Sequence, residues 1–384
     1  AARRNVINRF TESLTASRSM DTSRSDMFRH QPALSILVWN PYRPDNHISA
    51  IKIPYSAASQ DIHAAEDFTI NSPRAKMPIK IPDDLPARRT LEEEGVRVIS
   101  EDDAMRQDVR PLKIALLNLM PEKIKTETQI TRLVGATPLQ IEMTLLSTSS
   151  YTPRNTSAEH MLAFYQPWEA VREQKFDGLI ITGAPIEKLP FEEVIYWPEL
   201  REIFDWTQTN VHDTFNICWA GQAALYHFYG INKRELPKKR FGLYDHTIVT
   251  PNSVMLRGFP DVFPVPISRY TEVCEEEIPN DPNLRILAAS AEAGVCLIRD
   301  HKRHQVYMFN HLEYDTATLG DEYRRDAEVG EKTALPVNYF PNDDPKQPAR
   351  NQWRGLGHLL IGNWINDLYQ TTPFDIDRIR NGPP

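Results

Sequence analysis

Three residues, Cys218, His311 and Glu313, have the types and placements that together could transfer an acyl group. A thiolate attacks carbonyls, a base must take its proton, and a third group must hold that base in one tautomer. Cys218 stands in TFNICWAGQAALYHFYG (214–230), where an apolar strand breaks into a helix, with small Ala220 and Gly221 just after it. Small neighbours permit the tight strand-to-helix turn that lifts a nucleophile over the sheet edge. The helix N-terminus favours the thiolate and offers free N–H groups to an oxyanion. Taken alone, the same place suits an inert core thiol, because cysteine is among the most buried residue types.

The other two cysteines are weaker candidates. Cys274 precedes Glu275, Glu276 and Glu277, whose negative field suppresses thiol ionisation, and Cys296 lies between Val295 and Leu297 in an apolar strand. His311 follows the strand QVYMFN, and Glu313 lies two residues on. In extended chain those two share a side, so the carboxylate can fix the imidazole. An isolated H-x-E is otherwise an ordinary surface pair. A glycine turn, Thr182-Gly183-Ala184-Pro185, also follows a buried strand and could aim a backbone N–H at the thiol.

The elements that must carry these residues alternate. KIALLNLM (113–120), LQIEMTLL (139–146), GLIITG (178–183), TFNIC and QVYMFN (305–310) are short apolar runs suited to buried strands. Helical patterns separate or follow them at Thr126–Val134, Ala158–Phe164 behind the capping residues Asn155-Thr156-Ser157, Pro198–Trp206, the run closing on Gly230, Thr316–Val329 and Trp353–Tyr369. RILAAS and VCLIRD resemble a hairpin. Repeated β-then-α with apolar strands predicts an α/β fold: a mostly parallel sheet with helices on both faces. Such sheets place their sites at C-terminal strand ends, where Cys218 and His311 both fall.

Composition removes other classes. A net charge of −8 with no sustained Lys/Arg stripe argues against nucleic acid as partner. No run of 18 apolar residues is present, so no spanning helix is expected, and the first residues lack a signal-peptide core. Three cysteines without a CxxC pair argue against a metal site or disulfide framework and fit a reducing cytoplasm. Thirty prolines against 15 glycines point to stiffened surface connections. Residues 1–76 read as a separate extension, either disordered or an over-extended gene start before Met77. Its one apolar piece, Ala33–Trp39, reads as a strand without an obvious partner.

From Met77 to the end the chain resembles the homoserine O-acyltransferases of methionine biosynthesis, the homoserine transsuccinylase type. The resemblance runs through MPIKIPDDLPA, RPLKIALLNLMPEKIKTE, FDGLIITGAP, ICWAGQAALYHFYGI, SRYTEV, HLEYD, NYFPNDDP and NWINDLYQTTPFD. It implies a flavodoxin-like sheet of the class I glutamine amidotransferase kind. It also implies Cys218 as acyl-thioester nucleophile, His311 as general base and Glu313 as its partner, with Lys239, Ser268 and Arg325 binding homoserine. Guanidinium suits the substrate carboxylate through paired bonds. Position 187 in this family discriminates acyl donors: glycine leaves room for succinyl, and glutamate goes with acetyl-CoA. This chain has Glu187, which fills space and repels a second carboxylate, so acetyl transfer is the expectation. One departure is HLEYD preceded by Asn310, where Gly-His-Pro-Glu is the expected pattern.

The expected reaction acylates Cys218 from acetyl-CoA and then delivers the acetyl group to the hydroxyl of L-homoserine. The backbone N–H groups of Ile186 and Trp219 are expected to form the oxyanion hole. Acetyl-CoA enters as co-substrate, no cofactor or metal is required, and the resemblance implies a homodimer. Two rivals share the sheet. A glutaminase-like hydrolase usually carries Gly two residues before its cysteine, where this chain has Asn216. A non-catalytic ligand-binding or redox-sensing module would tolerate loss of the thiol. A homoserine O-succinyltransferase is the nearest alternative.

Overall fold

In a computed structural model the chain divides into two compact units, Ala1–Arg74 and Ala75–Pro384. The structure describes residues 34–39, 48–53 and 79–379, apart from 95, 97, 100–109, 152–154, 329 and 331–332. In the first unit, β1 (Leu34–Trp39) pairs antiparallel with β2 (Ile48–Ile53), Leu34 opposite Ile53 and Trp39 opposite Ile48. The apolar stretch expected to lack a partner therefore has one nine residues downstream. The other expectations for residues 1–76 lie outside the described residues.

The second unit holds β3 (Ile79–Lys80), α1 (Pro86–Glu93), β4 (Val98–Ile99), β5 (Leu112–Leu117), α2 (Lys123–Val134), β6 (Ile141–Ser147), α3 (Ala158–Phe164), β7 (Tyr165–Pro167) and β8 (Phe176–Ile181). There follow α4 (Trp197–Asn210), β9 (Val211–Ile217), α5 (Trp219–Tyr229), β10 (Arg234–Ile248), β11 (Val262–Glu272), β12 (Leu284–Ser290), β13 (Gly294–Asp300) and β14 (Gln305–Met308). Last come α6 (Thr318–Glu328) and α7 (Arg354–Thr371). One 12-stranded sheet runs β11-β10-β12-β13-β14-β9-β8-β5-β6-β3-β4, with β7 beside β6.

From β14 through β9, β8, β5 and β6 the pairing is parallel, as the apolar runs predicted. Every residue of β8 and β9 is buried, which is the mark of strands covered on both faces. Ile114 and Leu116 of β5 join one core with Leu91, Ile130, Leu133 and Trp364 of α1, α2 and α7. The alternate residues Ala115 and Leu117 join the other core with Leu200, Phe204, Ala223 and Leu225 of α4 and α5. A period of two along each strand thus divides the apolar side chains between two helical layers. Ser157 caps α3 by accepting from the His160 N–H, and Gly230, at φ 72, ends α5 in the left-handed region.

Beyond β14 the sheet turns antiparallel. The hairpin of β12 and β13 was legible in RILAAS and VCLIRD, but the long ribbon of β10 and β11 was not. Its register shifts between Glu235 and Arg240, so the segment around Pro237 to Lys239 bulges out opposite Tyr270. That ribbon flanks the edge where β9 and β14 end.

Candidate active site

The chain leaves β9 at Ile217, and Cys218 is the single residue before α5. Its backbone sits at φ 52, ψ −116, a strained conformation for a residue with a side chain. Two bonds over-determine the turn. The Cys218 N–H donates to the Met308 carbonyl at 2.6 Å, and its own carbonyl accepts from the Gln222 N–H at 3.2 Å. Asn216, where a hydrolase would carry glycine, donates its amide to Gln305 Oε1 at 2.9 Å and the Val306 carbonyl at 3.1 Å. It therefore bolts the strand that leads into Cys218 to β14.

His311 lies three residues past β14, with its Nδ1 2.6 Å from Glu313 Oε1. With Nδ1 committed, Nε2 is the nitrogen left for the Cys218 side chain, which lies within interaction range of the ring. Burial pushes the imidazole pKa down, but Glu313 and Cys218 outweigh it and hold it well above the usual histidine value. Cys218 is only 9% exposed, so access to it is narrower than an open crevice mouth. The other thiols lack such a partner: burial pushes Cys296 up to about 12, and burial with Glu277 and Glu272 raises Cys274.

The departure around the base has a structural reason. Asn310 is fully buried and donates to His246 Nε2 at 2.9 Å, while His246 Nδ1–H donates to the Tyr244 carbonyl at 2.8 Å. Burial holds His246 near 4, so it is neutral and Nε2 can accept. Leu312, in place of proline, is buried in the core, and a Cβ on Gly357 of α7 would lie 2.5 Å from its carbonyl oxygen. The loop is held by side chains and by α7 rather than by a stiff backbone.

Gly183 lies against the Cys218 turn. A Cβ there would stand 3.1 Å from Cys218 Cβ and 3.5 Å from the Trp219 amide nitrogen, so glycine leaves the space open. Trp219 is the first residue of α5, where an amide has no intrahelical acceptor. Ile186 does not join it: its N–H donates to the Ala184 carbonyl at 2.9 Å, because residues 184–186 turn tightly at Pro185.

Lys239, Ser268 and Arg325 come together around two acids that sequence reading missed. Lys239 Nζ lies 3.0 Å from Asp326 Oδ2 and 3.6 Å from Glu322 Oε2. Ser268 donates to Glu322 Oε2 at 2.5 Å, and Arg325 to Asp326 Oδ1 at 2.8 Å. Tyr314 links this cluster to the base: its hydroxyl donates to Glu322 Oε1 at 3.1 Å, and its ring stacks on His311 at 4.1 Å. Burial and the neighbouring carboxylates hold the Tyr314 hydroxyl well above its usual pKa, so it stays a donor. The signal available was the spacing of Glu322 and Asp326, one turn apart on α6.

Glu187 is mostly buried, and its Oε2 accepts from the Tyr270 N–H at 2.8 Å and lies 3.4 Å from Thr271 Oγ1. Burial raises its pKa, while the Tyr270 N–H and the charges of His311, Arg269 and Lys239 pull the other way. Glu187 is therefore within electrostatic range of both His311 and Lys239.

Solved structures similar to the chain include a glutamine amidotransferase from Thermotoga maritima, 14% identical, TM-score 0.44, covering 68% of this chain and 99% of that one. A second, from Methylobacillus flagellatus, is 14% identical, TM-score 0.42, covering 67% and 95%. Proteins described as homoserine O-acetyltransferase from Brucella canis, Brucella suis and Brucella abortus are each 58% identical over 303 residues, 79% of this chain and 99% of the relative. The family model described as homoserine O-succinyltransferase matches residues 78–374. A match of that extent, with relatives aligned along nearly their whole length, means that this chain belongs to the homoserine O-succinyltransferase family of homoserine acyltransferases.

Proposed function

We propose that the chain moves an acetyl group from acetyl-CoA to L-homoserine through a Cys218 thioester. The observation that carries the donor choice is the Glu187 carboxylate, held at 2.8 Å by the Tyr270 N–H within the field of His311. A fixed anion there leaves room for a methyl group and repels the terminal carboxylate of a succinyl chain.

In the first half-reaction His311 holds the proton from Cys218, and the sulfur attacks the thioester carbonyl of acetyl-CoA. The Trp219 N–H supports the oxyanion in the space that Gly183 leaves open. The bond to the CoA sulfur breaks, and His311 returns its proton to that leaving thiolate. Homoserine then occupies the cluster around Glu322. Its carboxylate pairs with Arg325 and Lys239, and its ammonium with Glu322, freed from part of its bonding to Ser268 and Tyr314. His311 takes the hydroxyl proton, the oxygen attacks the acetyl carbonyl, and the Cys218 sulfur leaves and recovers the proton. General-base action and oxyanion support each supply on the order of 10²–10³-fold. The scheme draws on acetyl-CoA as co-substrate and on no metal or redox group. The homodimer implied by the resemblance belongs to this reading and is tested by light scattering.

The family model carries the succinyl name and the relatives the acetyl name, so the deciding experiment is a donor competition. Purified chain with homoserine and equal acetyl-CoA and succinyl-CoA is expected to yield O-acetylhomoserine, and Glu187→Gly to shift product toward O-succinylhomoserine. Preferential succinyl transfer by the unaltered chain overturns the donor choice. Thioester hydrolysis without any O-acyl product favours the hydrolase reading.

A further inference from the structure

Glu187 does not hold its position alone. Its Oε2 also faces Thr271 Oγ1 at 3.4 Å, and that hydroxyl lies 2.9 Å from Gln222 Oε1. Gln222 sits in the first turn of α5, and its own N–H donates to the Cys218 carbonyl. Thr271 and Gln222 are each 2% exposed, so water does not replace these contacts. Gln222 and Thr271 therefore link the Cys218 turn to Glu187.

One hydroxyl carries one proton. A half-turn of the Gln222 amide, which heavy-atom positions do not distinguish, places its NH₂ against Thr271. Gln222 then donates to Thr271 and Thr271 donates to Glu187. The Tyr270 N–H and the Thr271 hydroxyl both address Oε2, and two donors hold that oxygen in place more tightly than one. Repulsion of a second carboxylate works only while the first cannot swing aside.

We propose that Thr271, backed by Gln222, is a positioning residue for acyl-donor choice, holding the Glu187 carboxylate in place so that a carboxylate-bearing acyl chain is rejected. The proposal rests on the acetyl-donor reading above. The sequence offered no hint of it, since Glu187, Gln222 and Thr271 come from three separated segments.

The test measures kcat/KM for acetyl-CoA and for succinyl-CoA with the full chain, Thr271→Val, Thr271→Ala, Thr271→Ser and Glu187→Gly. Thr271→Ala accompanies Thr271→Val because it adds no methyl against Gln222. Loss of the hydroxyl is expected to raise the succinyl-to-acetyl ratio roughly tenfold, the worth of one hydrogen bond to a charged group. Thr271→Ser, which keeps the hydroxyl, is expected to hold the original ratio, an outcome that a merely space-filling role for threonine would not produce. If Glu187→Gly shifts the ratio while Thr271→Val and Thr271→Ala stay within about twofold of the unaltered chain, the positioning role is overturned and the donor reading stands. If Glu187→Gly itself changes nothing, both fall together.

Discussion

At the scale of single residues, the proposed chemistry reduces to where one proton resides. His311 is held well above its usual pKa by Glu313 and Cys218 despite its burial. Cys218→Ala removes the partner that the sulfur offers the ring, so the His311 titration followed by NMR is expected to move down, with Glu313 retaining part of the rise. Glu313→Gln is expected to lower kcat about 10²-fold or more, because the ring loses both its orientation and its basicity. Its stability effect has a definite sign. A group whose pKa is raised on folding contributes fully below its unfolded value, near 6.5, and that contribution disappears as pH rises through the raised value. Urea unfolding should therefore show Glu313→Gln costing more at roughly pH 6 than under alkaline conditions.

At the scale of elements, the loop that carries the proposed base, His311, rests on a helix far from it in sequence. Gly357 of α7 approaches the Leu312 carbonyl so closely that a Cβ would stand 2.5 Å from it. Leu312 lies between His311 and Glu313, and burying its side chain anchors the loop by about 1.5–3 kcal/mol. Gly357→Ala must push that carbonyl aside. The expected result is a fall in kcat with a smaller change in KM for acetyl-CoA, together with a lowered melting temperature. Unchanged kcat in a folded Gly357→Ala protein would show that α7 does not set the position of the base. The β10–β11 ribbon has the same kind of influence. It brings Lys239 and Ser268 to Glu322 of α6, and it presents the Tyr270 N–H to Glu187.

At the scale of the whole molecule, the family match begins at residue 78, close to the boundary between the two compact units at Arg74 and Ala75. The triad, the Glu322 cluster and Glu187 all lie in the second unit. A chain starting at Met77 is therefore expected to keep its melting temperature and its acyl-transfer rate. A loss of either on truncation would give residues 1–76 a role in the fold or the reaction. Among the described residues no helix is long and apolar enough to cross a membrane.

The sequence by itself determined the parallel half of the sheet, because apolar strands and amphipathic helices carry their periods locally. It also pointed to Cys218, His311 and Glu313 as a candidate set, since Cys218 and His311 each follow a recognisable strand and Glu313 is two residues from its partner. Tertiary structure alone decided what no local pattern encodes. The partners of Glu187, the joining of Lys239 and Ser268 through Glu322, and the brace between Asn310 and His246 all unite segments distant in sequence. It also redirected the Ile186 N–H to Ala184, since an amide's aim depends on the exact turn of its loop. Periodicity specifies which face a residue occupies, but it carries no information about which distant side chain will meet it there.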